Sequence, residues 1–190
     1  MTVDKKRYML LAIGGTIGLA AAFLQTIEKL LLVGNKNANL PCNINDVFSC
    51  STVLNAPQSS LFGFPNSLLC LVIFTVFVTV GVLGLSGSRI LNRARYMVQA
   101  LAVFMLLFAL WFLFTSTFVI GAICIFCIFC FGGLLLINGA LWRLNFSTNI
   151  SKSRFQDYMY MLTDRSLDIL IWITLAVILA AAVIVKFYIA

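Results

Sequence analysis

Five apolar stretches separated by polar segments set the pattern of this chain. They cover residues 8–33, 67–85, 96–120, 122–142 and 167–190. Each is long enough to cross the hydrocarbon core of a bilayer as a helix, which takes about 20 residues. The expected architecture is therefore all-α and integral to the membrane: one membrane domain over residues 1–190 with five transmembrane helices. Gly14 and Gly18 sit one turn apart in the first stretch, a small-residue spacing that permits close helix contact and is also common in any membrane helix. The third and fourth stretches meet at Gly121 with almost no spacer, which predicts a tight hairpin.

Residues 34–66 are the long polar segment between the first two helices. Loops of that length are usually functional or disordered. Cys42 and Cys50 within it argue for order. Residues 47–54 read as a short helix carrying Cys50, and residues 61–64 are apolar enough to dip into the membrane interface.

Composition agrees with the pattern: 62% of residues are hydrophobic and 10% charged, so a soluble domain is excluded. The net charge of +7 falls in short clusters between apolar runs. It reads as a topology signal rather than a nucleic-acid surface. A cytoplasmic N-terminus puts Lys5, Lys6, Arg7, Arg89, Arg93, Arg95, Arg143, Lys152, Arg154 and Arg165 inside, and leaves Lys29, Lys36 and Lys186 outside. That distribution follows the positive-inside rule. The expected location is the inner or plasma membrane, with residues 34–66 and Ala190 on the outer side. Cys42, Cys50, Cys124 and Cys127 then lie at or near the outer face, where disulfides persist.

Those four cysteines are the candidate chemistry. Cys124 and Cys127 are spaced to share a face in the first turns of the fourth helix. Amide N–H groups and the helix dipole there stabilise a thiolate. The bland alternative is two small residues that pack, since free cysteine behaves as a small hydrophobe. A second pair on the same side favours redox work. Thiol–disulfide exchange needs one pair to meet the donor and another to meet the acceptor. Cys42 and Cys50 suit the first and Cys124 and Cys127 the second, with a membrane quinone able to take the electrons. The competing reading is a non-catalytic membrane scaffold whose loop is stapled by a Cys42–Cys50 disulfide. Four-thiolate zinc fits the spacing badly. Cys70 and Cys130 read as packing residues, and Glu28 and Asp46 as solvated surface charges. The chain has no histidine, the commonest general base.

The order of these parts resembles vitamin K epoxide reductase and its bacterial homologues. The resemblance rests on Cys42-Asn-Ile-Asn-Asp-Val-Phe-Ser-Cys50-Ser51, on Phe62-Gly63-Phe64-Pro65-Asn66, and on Cys124-Ile125-Phe126-Cys127. DsbB-type enzymes share the logic, but place their C-x-x-C in the first outer loop. The resemblance implies a thiol–disulfide oxidoreductase in which Cys42 takes electrons from a thioredoxin-like (DsbA-like) protein, Cys50 exchanges with Cys124, and Cys127 faces a quinone of the ubiquinone, menaquinone or vitamin K type. It also implies a four-helix bundle around the quinone, formed by the helices after the first, with the outer loop as a cap. Two departures fall at the implied quinone pocket. Asn55 and Ala56 stand where the family usually has Ser or Thr at the second position. Phe131 stands where the vertebrate enzymes carry Tyr, which weakens a case for epoxide chemistry. Many bacterial members continue into a thioredoxin-like domain. This chain ends at Ala190, so a separate partner is expected.

Overall fold

The computed structural model describes residues 3–35, 40–146, 159, 161 and 167–189. Expectations that involve Lys36, Lys152, Arg154, Arg165 and Ala190 lie outside the described residues. Among the described residues the principal helices are, in order, α1 Val3–Gly34, α2 Cys50–Asn55, α3 Asn66–Leu85, α4 Asn92–Thr115, α5 Ile125–Phe146 and α6 Leu167–Ile184. A 3-10 turn covers Pro57–Ser60, and π-helical turns extend α4 over Ser116–Ile120 and α6 over Val185–Ile189. No β-strand forms among the described residues; an isolated parallel bridge joins Phe48 and Ile123.

Four of these helices are long and apolar enough to cross a membrane, namely α1, α3, α4 with its π turn, and α5. The protein is a multi-pass membrane protein on that basis. The fifth expected crossing corresponds to α6, whose apolar part, Trp172–Phe187, is shorter than the other four. Large apolar side chains such as Val72, Phe104, Leu107, Phe114 and Val119 stand exposed on the outside of the bundle. An aqueous surface does not tolerate such a continuous apolar face, whereas lipid does.

The bundle differs from expectation in one respect. α1 is part of it, packed along its length against both α3 and α5, while α4 completes the set against α5. The outlying helix is the last one, α6, which meets α5 where Trp172 lies over Gly139. The reason is close backbone approach. A Cβ on Gly133 would sit 2.6 Å from the Gly14 carbonyl oxygen, and one on Gly18 would overlap the Phe74 ring. Without a hydrophobic drive inside lipid, such van der Waals contact is what joins helices.

α1 has 32 residues, about 48 Å at 1.5 Å per residue. That exceeds a hydrocarbon core of about 30 Å. Its C-terminal turns pack against the loop that follows, through Glu28, Lys29 and Leu32.

Two buried clusters result. One fills the bundle around Leu11, Phe74, Phe77, Met105, Ile137 and Leu141. The other lies at the loop end and gathers Leu32, Leu40, Val53, Leu54 and Phe112 around Cys42, Cys50 and Cys124. Burying each large apolar side chain in this cap contributes about 1.5–3 kcal/mol.

Candidate active site

The loop after α1 is closed by a Cys42–Cys50 disulfide with a Cα–Cα distance of 5.8 Å. Local polar bonds shape the turn between the two cysteines. Asn45 Oδ1 accepts from the amides of Val47 and Phe48, at 3.1 and 2.8 Å. Asn43 Oδ1 accepts from the Ser51 amide at 3.0 Å. Ser49 caps α2, its hydroxyl accepting from the Thr52 amide. The short helix thus begins at Cys50 rather than at residue 47, because Val47 and Phe48 are drawn into the bridge.

That bridge assembles the site. The Ile123 amide donates to the Val47 carbonyl at 2.7 Å, and the Ser49 amide donates to the Ile123 carbonyl at 3.2 Å. The next residue on each segment is a cysteine. Cys124 Sγ consequently lies 3.3 Å from Cys50 Sγ, and both residues are fully buried.

Residues 122–124 reach this position because α4 ends in a π turn closed by Gly121. With φ of +75°, Gly121 occupies the left-handed region, which is open to glycine without a side-chain penalty. Cys124 was expected inside the fourth helix. It precedes α5 instead, and its carbonyl accepts the Cys127 and Ile128 amides, at 3.0 and 3.4 Å. Pairing with the loop holds it extended. The helix start still acts on it. The Cys127 thiol hydrogen-bonds to Cys124, and the amides of Cys127 and Phe126 point at it. Together these hold the Cys124 thiol below its ordinary pKa, against burial and the nearby Glu28 charge.

Cys127 lies in the first turn of α5, one side toward Cys124 and the other lining an apolar pocket inside the bundle. The pocket is narrow, with a cavity volume of about 60 Å³. Phe74, Phe108, Phe112 and Phe131 supply flat apolar walls, and Asn66 and Ser67 add polar groups near its loop end. Such a lining fits a planar hydrophobic ring carrying carbonyl oxygens. Of the three residues named for a quinone pocket, Phe131 lines this space; Asn55 is exposed, and neither Asn55 nor Ala56 is among the lining residues. Asn66 is one of the polar side chains there, with Gln25, Ser59, Ser67 and Ser116. It accepts the Leu61 amide at 3.2 Å and donates to the Gln58 carbonyl at 2.8 Å, fixing the 3-10 turn over the pocket. Cys70 and Cys130 also line the pocket; the Cys130 thiol donates to the Gly18 carbonyl at 3.7 Å.

Two site residues on α1 escaped the sequence reading. Gln25 Nε2 donates to Cys127 Sγ at 3.3 Å. One turn later, a Glu28 carboxyl oxygen lies 2.7 Å from Cys42 Sγ. Both are buried, at 7% and 6% exposure. Glu28 is therefore not the solvated surface charge expected of it. The available signal was two polar residues at i, i+3 in an otherwise apolar helix. Next to them, Lys29 turns toward the loop, where its ammonium donates to the Leu54 carbonyl and to Ser59 Oγ. Glu28, Cys42 and Cys50 bring potential ligand atoms within 4.8 Å of one another, but the disulfide consumes both thiolates that a metal would need.

Comparison with known families matches residues 9–137 to the vitamin K epoxide reductase family. No curated protein and no solved structure matches the chain. The matched segment runs from α1 into α5 and takes in the loop disulfide, the bridge, Cys124 and Cys127. Covering well over half of the sequence, that match makes this chain a member of the vitamin K epoxide reductase family.

Proposed function

We propose that this protein oxidises a separate thioredoxin-like (DsbA-like) protein and delivers the two electrons to a membrane quinone, so that other proteins acquire disulfides. Members of the family are in general quinone-dependent disulfide oxidoreductases. The observation that carries the reading is the 3.3 Å separation of Cys124 Sγ and Cys50 Sγ, with Cys50 held in the loop disulfide.

The order of sulfurs then follows from burial. Cys42 is 5% exposed and Cys50 is fully buried, so Cys42 is the sulfur nearer the partner. A partner thiolate attacks Cys42, and Cys50 leaves as thiolate. The partner's second thiol releases the oxidised partner and frees Cys42. Cys50 attacks Cys124 of an oxidised Cys124–Cys127 pair, and Cys127 leaves as thiolate beside Gln25 and takes up a proton released by the partner's thiols. Cys42 then attacks Cys50, restoring the loop disulfide and leaving two thiols on α5. The state described by this structure, with a loop disulfide and free Cys124 and Cys127, is the product of that exchange. A quinone in the pocket below Cys127 would accept two electrons and two protons. Gln25 orients Cys127 toward that space, and the aromatic walls exclude water from it.

The bilayer arrangement we infer has five crossings, α6 being the fifth, with the redox loop outside. Lys5, Lys6, Arg7, Arg89, Arg93, Arg95 and Arg143 gather at one end of the bundle, where Tyr8 packs under Gly84 and the Arg95 carbonyl accepts from Asn145. The opposite end holds the disulfide. Phe62 and Phe64 lie exposed and stacked at 6.0 Å beside that end, suited to the interface.

The test is direct. Purified protein is mixed with a reduced thioredoxin-like protein and a soluble quinone, and quinone absorbance is followed. Partner oxidation matched one to one by quinone reduction is expected. Partner oxidation with no quinone consumed would overturn the reading.

A further inference from the structure

Glu28 is the one charged side chain buried among the described residues. An apolar setting disfavours an isolated charge, and such a residue at membrane depth needs a partner or a role. No cation pairs with it among the described residues. The neighbouring Lys29 is taken by the loop. What faces Glu28 is sulfur: Cys42 Sγ at 2.7 Å from its carboxyl oxygen and Cys50 Sγ within 4.8 Å, with the Cys124 thiol close enough to feel its charge.

We infer that Glu28 is the proton acceptor and donor of Cys42, a catalytic residue of the exchange rather than a structural acid; the inference rests on the thiol–disulfide reading above. A thiol attacks only as thiolate, and the proton acceptor at Cys42 is the Glu28 carboxyl, 2.7 Å from its sulfur. In the closing step the reduced Cys42 thiol passes its proton to the Glu28 carboxylate. Its sulfur then attacks Cys50, the Cys42–Cys50 bond forms and the Cys50–Cys124 bond breaks. The electron pair leaves on Cys124, where the Cys127 thiol and the α5 amides receive it. When the next partner has opened the loop disulfide and departs from Cys42, Glu28 returns the proton to the leaving sulfur. The carboxyl thus ends each cycle as it began. Gln25 and Glu28, at i and i+3 on one helix, would serve the two cysteine pairs from a single face of α1.

The experiment compares wild type with Glu28→Gln in lipid nanodiscs. Quinone reduction by a reduced thioredoxin-like protein, whose electrons must pass the closing step, is followed in single turnover from pH 6 to pH 9. Without the base, only thiol already ionised can attack. The Glu28→Gln rate should therefore fall at least tenfold below wild type at the acid end and rise about tenfold per pH unit toward it. Wild-type quinone reduction by dithiothreitol, which enters at Cys124 and Cys127, is measured as the second donor. Parallel pH profiles for the two proteins would overturn the proposal while leaving the function standing. Absence of quinone reduction by wild type with either donor would overturn both. Infrared difference spectra of wild type supply the second measurement should Glu28→Gln fail to fold. Oxidation of the loop pair should produce a carboxylic-acid C=O band that reduction removes. No such band would overturn the assignment.

Discussion

Cys124 Sγ stands 3.3 Å from Cys50 Sγ because the parallel bridge between Phe48 and Ile123 brings the two segments together just before Cys50, two residues on, and Cys124, one residue on. The contact joins a loop sulfur to the α5 pair across 74 residues of sequence. It defines the bond that should be trapped when the exchange is interrupted. Cys127→Ala removes the thiol that resolves Cys124 on the pocket side. A Cys50–Cys124 disulfide should then accumulate, with quinone reduction lost. Peptide mass spectrometry after rapid alkylation checks it. A dominant Cys42–Cys124 link would reverse the roles of the loop sulfurs.

Removing a loop sulfur should separate the two donors. Cys42→Ala or Cys50→Ala is expected to abolish oxidation of the protein partner. Reduction of quinone by a small permeant dithiol should stay within about twofold of wild type, because Cys124 and Cys127 remain intact. Parallel quinone assays with the two donors decide the matter. Equal loss with both would favour a disulfide that only staples the cap.

Gln25 donates to Cys127 Sγ from within the bundle. A hydrogen bond to a charged group contributes about 1.5–3 kcal/mol. Gln25→Leu, which keeps the volume and drops the donor, should slow quinone reduction by about tenfold or more. The thermal midpoint of the purified protein should move little. Stopped-flow reduction of a soluble quinone measures the first, and detergent unfolding the second.

Two adjacent glycines on α5 should behave differently. A Cβ on Gly133 would meet the Gly14 carbonyl at 2.6 Å, whereas one on Gly132 would meet nothing within 4 Å. Gly133→Ala forces α1 and α5 apart and should cost about 1–3 kcal/mol, as overpacking does. Gly132→Ala should be neutral or slightly stabilising, since alanine suits a helix better. Thermal midpoints in one detergent compare the pair directly.

The membrane character and the helices were legible along the chain, because apolar length is a local property that bilayer thickness converts into a crossing. So was the family, carried by the spacing and order of the cysteines. What the linear pattern could not supply was direction around the helices and between them. An acid three residues after an amide in α1 reads the same whether it faces water or a sulfur. Only the docking of the loop over α1 buries Glu28 against Cys42. Likewise the run from Ala122 looks helical by composition. The loop pairs with Ile123 and holds Cys124 outside the helix, because the Ile123 amide donates to the Val47 carbonyl and the Ile123 carbonyl accepts from the Ser49 amide. α1 joins the bundle, and α6 stays at its edge, through backbone contact at Gly14 and Gly133. Hydropathy cannot rank two apolar helices in this way, since lipid and protein are equally apolar and only the fit of surfaces distinguishes them.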